Sequence, residues 1–279
     1  MIRPVFLILP FLFICSRVDV HVPSQNERSM RVAIVHSYSK DFYWTNEVEN
    51  GFLNTLMEQF EIQIVSKDYL DAKSDPDGVK ARAEKIYSKL KSSSFDLLFI
   101  TDDDAFFLVG KHYFNTKTKV VVAGINSPLL EFGKSESEVI RNLPKNVSGV
   151  LERYSIFPLV QFIRDILPQK KNLILLFDKS KTSNGVYDNL ILEISSAKSI
   201  GGLKIKSIIR SDNLSIWKNT MQKANFQDVI LIFPFSNIKR NSPNLKKIDD
   251  FASWLVKQSS VPEFATASLF NNNNFFATV

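Results

Sequence analysis

The chain is short of cysteine, histidine and glycine, and each shortage excludes a class of chemistry. It has 279 residues and one cysteine, Cys15. That rules out a disulfide framework and any cysteine-based zinc site. The 3 histidines, His21, His36 and His112, are scattered and argue against a His-rich metal centre. The 9 glycines form neither G-x-G-x-x-G nor a phosphate-cradling P-loop, so nucleotide-dependent chemistry has no support. There is no G-x-S-x-G nucleophile elbow either. No catalytic residue, metal ligand or cofactor is therefore expected. The formal charge of +6 comes from 35 Lys+Arg against 29 Asp+Glu, without a long basic block. A nucleic-acid partner is not indicated.

What is present reads as globular: 44% hydrophobic, 23% charged and 23 phenylalanines. The length fits one large domain or two smaller ones. Residues 1–20, MIRPVFLILPFLFICSRVDV, form a separate segment. Arg3 precedes an apolar run from Val5 to Ile14. A spanning helix needs about 20 apolar residues, so this run is too short for one and fits a secretory signal. Pro4 and Pro10 argue against a stable buried helix. Cys15 after Leu12-Phe13-Ile14 is similar to a lipoprotein signal, although Ile14 stands where a small residue is usual. Lipid attachment through Cys15, simple cleavage and an uncleaved anchor all stay open. Each places the chain outside the cytoplasm, on the outer face of a membrane or in a periplasm.

From residue 31 onward, strand and helix patterns alternate. Residues 31–38 (RVAIVHSY), 61–69, 96–101 (DLLFIT) and 119–126 (KVVVAGIN) read as strands. Between them, Val48, Phe52, Leu56 and Phe60 mark one helical face, and Val79, Ala83, Ile86 and Leu90 another. A third helix fits residues 105–113, and residues 148–152 fit a short edge strand. Helix, strand and helix patterns resume at 159–167 (through Leu159, Phe162, Ile163, Ile166 and Leu167), 172–177 and 186–194, with a break expected at Gly201-Gly202. Strands at 203–209, 228–233 and 261–269 then alternate with helices at 215–223 and 249–257. Apolar runs without alternation suit strands buried on both faces of a parallel sheet. The expectation is α/β: two doubly wound lobes, residues 31–150 and 151–270, with 271–279 a frayed or truncated end.

Ligands of open parallel sheets bind beyond the carboxyl ends of the strands. That rule selects His36-Ser37-Tyr38, Thr101 to Asp104 and Asn126-Ser127-Pro128 in the first half. In the second it selects Asp178-Lys179-Ser180 and Phe235-Ser236-Asn237. Asp102-Asp103-Asp104 suits a divalent cation in principle. Capping of the following helix or contact with a ligand is the favoured reading. His36 is expected to be a hydrogen-bonded histidine of the cleft or core rather than a general base. Trp44 lies between strand and helix, where an aromatic ring stacks on a ligand or plugs a loop. Thr45 fits an N-cap. Ser183-Asn184-Gly185 fits a helix start that either caps itself or receives an anion.

Four segments carry a family resemblance. HSYSKDFYWTNEVENGF at 36–52, FDLLFITDDDAFFLV at 95–109, VVVAGINSP at 120–128 and NVSGVLE at 146–152 stand in this order. They resemble the substrate-binding proteins of ABC transporters with the type I periplasmic-binding fold, the group that includes tryptophan-binding lipoproteins. The resemblance spans about residues 31–260. It implies a bilobed, monomeric protein that closes on a small-molecule solute such as an amino acid and hands it to ABC permease subunits. It implies a ligand-binding set of Ser37, Tyr38, Trp44, Thr101, Asp102, Asp103, Asp104 and Asn126 from the first lobe. Asp178, Ser183, Asn184 and Gly185 are implied from the second. Two alternatives stand beside it: the ligand-sensing ectodomain of a signalling system, and a Mg-dependent transferase using Asp102 and Asp104. Members of the family return to the first lobe after a Gly-rich stretch and end in further helices. The present chain stops at Val279 without that stretch, so the resemblance implies a missing crossing and a first lobe of reduced stability.

Overall fold

A computed structural model describes residues 29–127, 143–194, 198–240, 248–266 and 277–278. The expectations about residues 1–20 and Cys15, about Pro128 and about Asn271–Asn274 lie outside the described residues. Two parallel sheets organise the chain. The first uses β1 (Ser29–His36), β2 (Glu61–Tyr69), β3 (Leu97–Thr101), β4 (Lys119–Ile125) and β5 (Val147–Leu151). Their order is β2-β1-β3-β4-β5, and every pair is parallel. Helices α1 (Tyr43–Met57), α2 (Val79–Lys91) and α3 (Asp102–Leu108) make the crossovers, with a 3₁₀ turn at Gly110–Tyr113.

The apolar strands explain why both faces are covered. All five residues of β3 are buried. Leu98 and Ile100 point with Ala33, Val35, Val120 and Val122 toward Val79, Ala83, Ile86 and Leu90 of α2. Those four α2 positions are the ones the i, i+3/i+4 spacing selects. Leu97 and Phe99 point the other way, with Val32 and Ile34, toward Leu53 of α1. On that face Phe52 stacks on Phe99 at 3.8 Å between ring centroids. Helix α1 starts at Tyr43 and ends before Phe60, so Thr45 is not the N-cap but a buried residue inside the first turn.

The second sheet uses β6 (Asn172–Phe177), β7 (Ser199–Ile200), β8 (Leu203–Arg210), β9 (Asp228–Ile232), β10 (Glu263–Ala265) and β11 (Ala277–Thr278). Its order is β11-β10-β9-β6-β8-β7, with only the β7–β8 pair antiparallel among the described strands. Helices α4 (Ile156–Ile166) and α5 (Lys181–Ile194) cover the face bearing Leu173, Leu175, Phe177, Val229 and Leu231. The opposite face carries Ile174, Leu176, Ile230 and Ile232. It is covered by α6 (Leu214–Gln222) and α8 (Ile248–Val256), while the short α7 (Asn237–Arg240) follows β9.

Three local expectations are corrected. Gly201-Gly202 does not break a helix. It is the two-residue turn of the β7–β8 hairpin, with φ of 53° and 87°, a conformation glycine adopts freely. Phe162 and Ile166 of α4 stay 46% and 40% exposed; the buried stripe is Ile156, Leu159, Val160 and Ile163. At the far end, Ala277–Thr278 pair in parallel with Phe264–Ala265 instead of fraying. Among the described residues no helix is long and apolar enough to cross a membrane.

Trp217 anchors the α6–α8 face. It is fully buried, donates its indole N–H to the Ser211 carbonyl at 2.8 Å, and packs against Phe235 and Phe251. Trp217→Ala is expected to cost about 3–5 kcal/mol, whereas truncating an exposed side chain costs within about 0.5 kcal/mol. Phe226, 73% exposed, is the control position. Urea unfolding of Trp217→Ala beside Phe226→Ala checks this; equal midpoints would contradict the assigned packing.

Candidate functional site

Each sheet has one place where the chain reverses its direction of winding. In the first it falls between β1 and β3, in the second between β6 and β9. Crossovers leave these points in opposite directions, so a crevice opens at the carboxyl ends of the strands. A short polar side chain directly after the first strand organises each crevice. Ser37 follows β1; its Oγ donates to the Thr101 carbonyl at 2.8 Å and accepts the Ala105 N–H at 2.8 Å. Asp178 follows β6; its Oδ2 accepts the N–H groups of Ser236 and Asn237 at 2.6 and 2.7 Å. In both cases the acceptor satisfies free N–H groups at a helix start on the neighbouring strand's exit.

On the first-lobe side, Tyr38 and Asp102 face each other. The Tyr38 hydroxyl donates to Asp102 Oδ2 at 2.5 Å, and both residues are at least nine-tenths buried. Asp102 has a φ of 67°, in the left-handed region that non-glycine residues rarely adopt. Strain of this kind persists only where the surroundings over-determine it. Burial, then the charge of Asp103, pushes the Asp102 carboxyl up to about 7. Burial also raises Tyr38 well above its ordinary value, with the Asp102 charge adding to the effect. Lys73 Nζ lies 4.0 Å over the Tyr38 ring and 4.1 Å over Phe42, a cation–π placement at the rim. Asp103 is turned inward: Oδ2 accepts the Asn126 N–H at 3.2 Å and Oδ1 the Ser127 N–H at 3.1 Å.

Deeper along the same edge lie Trp44, Gly124, Asn126 and Glu152. Gly124 has a φ of 79° and sits at the register shift between β4 and β5. A Cβ there would come within 2.5 Å of the Trp44 ring, so glycine lets the indole lie on the backbone. The Trp44 ring meets Tyr38 edge-on at 5.8 Å. Asn126 Nδ2 donates to Glu152 Oε2 and to the Gly124 carbonyl, both at 3.2 Å. Glu152 Oε1 accepts the Tyr154 hydroxyl at 3.0 Å, and burial raises the Glu152 carboxyl.

The second lobe meets this edge through the start of α5. The Thr182 hydroxyl lies 3.2 Å from that of Tyr38. Lys181 pairs with Asp104, and Asn189 Nδ2 donates to the Asn126 carbonyl. Gly185 packs on the Asn126–Ser127 backbone, where a Cβ would come within 3.1 Å. Between the lobes remains a cleft of about 390 Å³ walled by Tyr38, Lys73, Asp102, Asp104, Ser180 and Thr182, among others.

Of the implied ligand-binding residues, Tyr38, Trp44, Asp102, Asp104, Asn126 and Gly185 come together where the lobes meet, while Ser183 is buried with its N–H donating to Ser180 Oγ in its own lobe. The other five make hydrogen bonds within their own lobes. Ser37 and Asp178 cap helix starts, and Asp103 holds the Asn126–Ser127 turn. Thr101 bonds His36 Nδ1 at 3.0 Å. Asn184 accepts from Arg210 at 2.8 Å and donates to the Lys179 carbonyl, both inside its own lobe. His36 is a core histidine: Nε2 pairs with Glu49 at 2.8 Å, and burial lowers its basicity. With the Glu49 carboxylate accepting from Nε2, Nδ1 accepts the Thr101 hydroxyl. Sequence reasoning missed Glu152, Thr182, Lys181 and Asn189. The strand-end rule would have reached Glu152, the residue directly after β5. Asn189 lies two turns into α5 and carries no local signal. Among the described residues, no cluster of His, Cys, Asp and Glu is arranged to hold a metal ion.

No family model matches the chain, and no curated protein matches it. Solved structures do. An ABC domain in complex with L-Trp from Streptococcus pneumonia superposes with a TM-score of 0.58 at 16% identity, over 89% of this chain and 78% of that one. A conserved domain protein from Vibrio cholerae gives 0.59 at 18% identity over the same shares, 89% and 78%. A solute-binding protein of an ABC transporter from Rhodopseudomonas palustris, in complex with 3,4-dihydroxybenzoic acid, gives 0.56 at 14% identity, over 88% and 65%. The chain has the type I periplasmic-binding fold.

In this periplasmic-binding-type chain the cleft carboxyls link stability to pH. Asp102 holds its proton up to about pH 7 when folded, against an ordinary value of 3.8. Between those values the unfolded chain has already released the proton, so stability falls as pH rises through the window. Asp102→Asn stays neutral, and its stability relative to the native chain is expected to improve steadily from about pH 4 to about pH 7. Denaturant titrations at several pH values test this; a difference that does not change with pH would contradict it.

Proposed function

We propose that this protein is the extracytoplasmic solute-binding component of an ABC uptake transporter. Its two lobes close on a small polar molecule such as an amino acid, and the loaded form docks on permease subunits. The observation that carries the reading is the cleft of about 390 Å³ between the carboxyl edges of two parallel sheets, walled from both sides. Its size suits a small solute, and its walls set the Tyr38 ring among polar and charged groups such as Lys73, Lys80, Asp102, Asp104, Lys181 and Asn237, which suits a polar molecule. Cross-lobe contacts are sparse: one hydroxyl pair, one exposed ion pair and one amide–carbonyl bond stand among those described. Such a surface opens at low cost, since an exposed ion pair contributes about 0–1 kcal/mol. The similar folds reported with L-Trp and with 3,4-dihydroxybenzoic acid support a binding role rather than an enzymatic one.

Native mass spectrometry of the purified protein is expected to find one small molecule bound per chain. Thermal unfolding with each of the 20 L-amino acids is the companion measurement. A ligand at about 100 times its dissociation constant adds about 2.7 kcal/mol of stability, an easily read shift. Tyr38→Phe removes the hydroxyl shared with Asp102 and Thr182 and is expected to weaken binding about tenfold. A protein that carries nothing and is stabilised by no small molecule would defeat the reading.

A further inference from the structure

An open sheet ends in edge strands, and an unguarded edge is a template for pairing with another chain. Among the described strands β2 and β5 are the edges of the first sheet, β7 and β11 those of the second. Three of these edges are guarded. β2 carries Glu61, Lys67 and Asp68 and a register shift against β1. β7 and β11 have two residues each. β5 has no such device: Val147-Ser148-Gly149-Val150-Leu151 includes neither a charge nor a proline. Ser148, Gly149 and Val150 are exposed in succession, Val150 to 69%. The Val120 N–H donates to the Asn146 carbonyl and the Glu152 N–H to the Ile125 carbonyl, so even-numbered residues here turn their backbone groups to β4. By the alternation of a strand, Gly149 and Leu151 turn theirs to the open side.

The sheet face beside this edge is open as well. Ser148 and Val150 align with Val121 and Ala123 of β4, which are only half-buried. Helix α1 lies on this face, but its buried Leu53 packs with Val32, Ile34, Leu97 and Phe99 of β1 and β3. The β4–β5 connection does not bring its described end here, since Leu143 packs with Val120 and Val122 on the α2 face. The strand is complementary to itself. Antiparallel pairing centred on Gly149 sets Val147 opposite the partner's Leu151 and Ser148 opposite the partner's Val150, with no charge within the paired residues. We propose that β5 is the interface of a homodimer, pairing with β5 of a second copy about a twofold axis at Gly149 and joining the two first sheets into one. An isologous contact of this kind needs only one surface and closes on itself, which an unguarded edge left open to any strand does not. The dimer departs from the monomer that the resemblance implies, and it stands independently of the solute-binding reading.

Sedimentation velocity of the full chain over a concentration series tests this. A weak dimer is expected, with a dissociation constant of about 1–100 μM, because one edge is a small interface. Ser148→Lys/Val150→Lys sets like charges opposite one another twice and is expected to weaken the dimer about tenfold or more. Ser148→Glu/Val150→Lys sets unlike charges at the same places and is expected to bring association back to within about threefold of the native chain. Both positions are exposed, so both variants are expected to fold as the native chain does. A chain that stays monomeric at about 1 mM would overturn the proposal. A dimer indifferent to the lysine pair would overturn it too, placing association elsewhere, for example at the apolar run Val5 to Ile14. So would a loss with the lysine pair that the glutamate–lysine pair does not reverse.

Discussion

The structure turns on one kind of hydrogen bond, made twice. A polar side chain directly after the first strand of each sheet accepts N–H groups where the chain leaves the neighbouring strand. Ser37 does this for Ala105, and Asp178 for Ser236 and Asn237. Parallel sheets buried on both faces leave the exits of their strands as the natural places for polar chemistry. Those exits are also where helix N-termini present unsatisfied donors. Ser37 and Asp178 settle both demands and fix the edges of the crevice.

Once the edges are fixed, the first lobe can hold costly groups in the crevice wall. Asp102 sits at a positive φ with a carboxyl raised by burial, and Tyr38 donates to it. Glu152 is raised as well, beside amide oxygens that accept nothing. Such an arrangement is held against its own preferences by the surrounding core, a common feature of binding sites.

The sheets were legible in the sequence because burial on both faces leaves continuous apolar runs. DLLFIT and KVVVAGIN announce β3 and β4, and Val79, Ala83, Ile86 and Leu90 announce the buried face of α2. Gly201-Gly202 was legible as a break but not as a hairpin, since β7 has only two residues and no pattern of its own. The strand-end rule reaches the loops that line the crevice but does not separate their side chains by direction. It cannot tell Tyr38, which faces the other lobe, from Ser37, which caps α3, because neighbours in sequence leave a strand in opposite directions. Asn189 and Thr182 were out of reach for another reason. Their importance comes from the approach of the second lobe, over 60 residues or more of chain separation.

Amide hydrogen exchange at the strand exits tests the central claim most directly. The account predicts that the N–H of Ala105 is protected in the native chain, like those of Ser236 and Asn237. In Ser37→Ala, exchange at Ala105 should quicken by about tenfold, the effect of losing one buried hydrogen bond. Ser236 and Asn237, held by Asp178, should keep their rates. Equal exchange at Ala105 in the two proteins would contradict the claim that Ser37 holds the crevice edge.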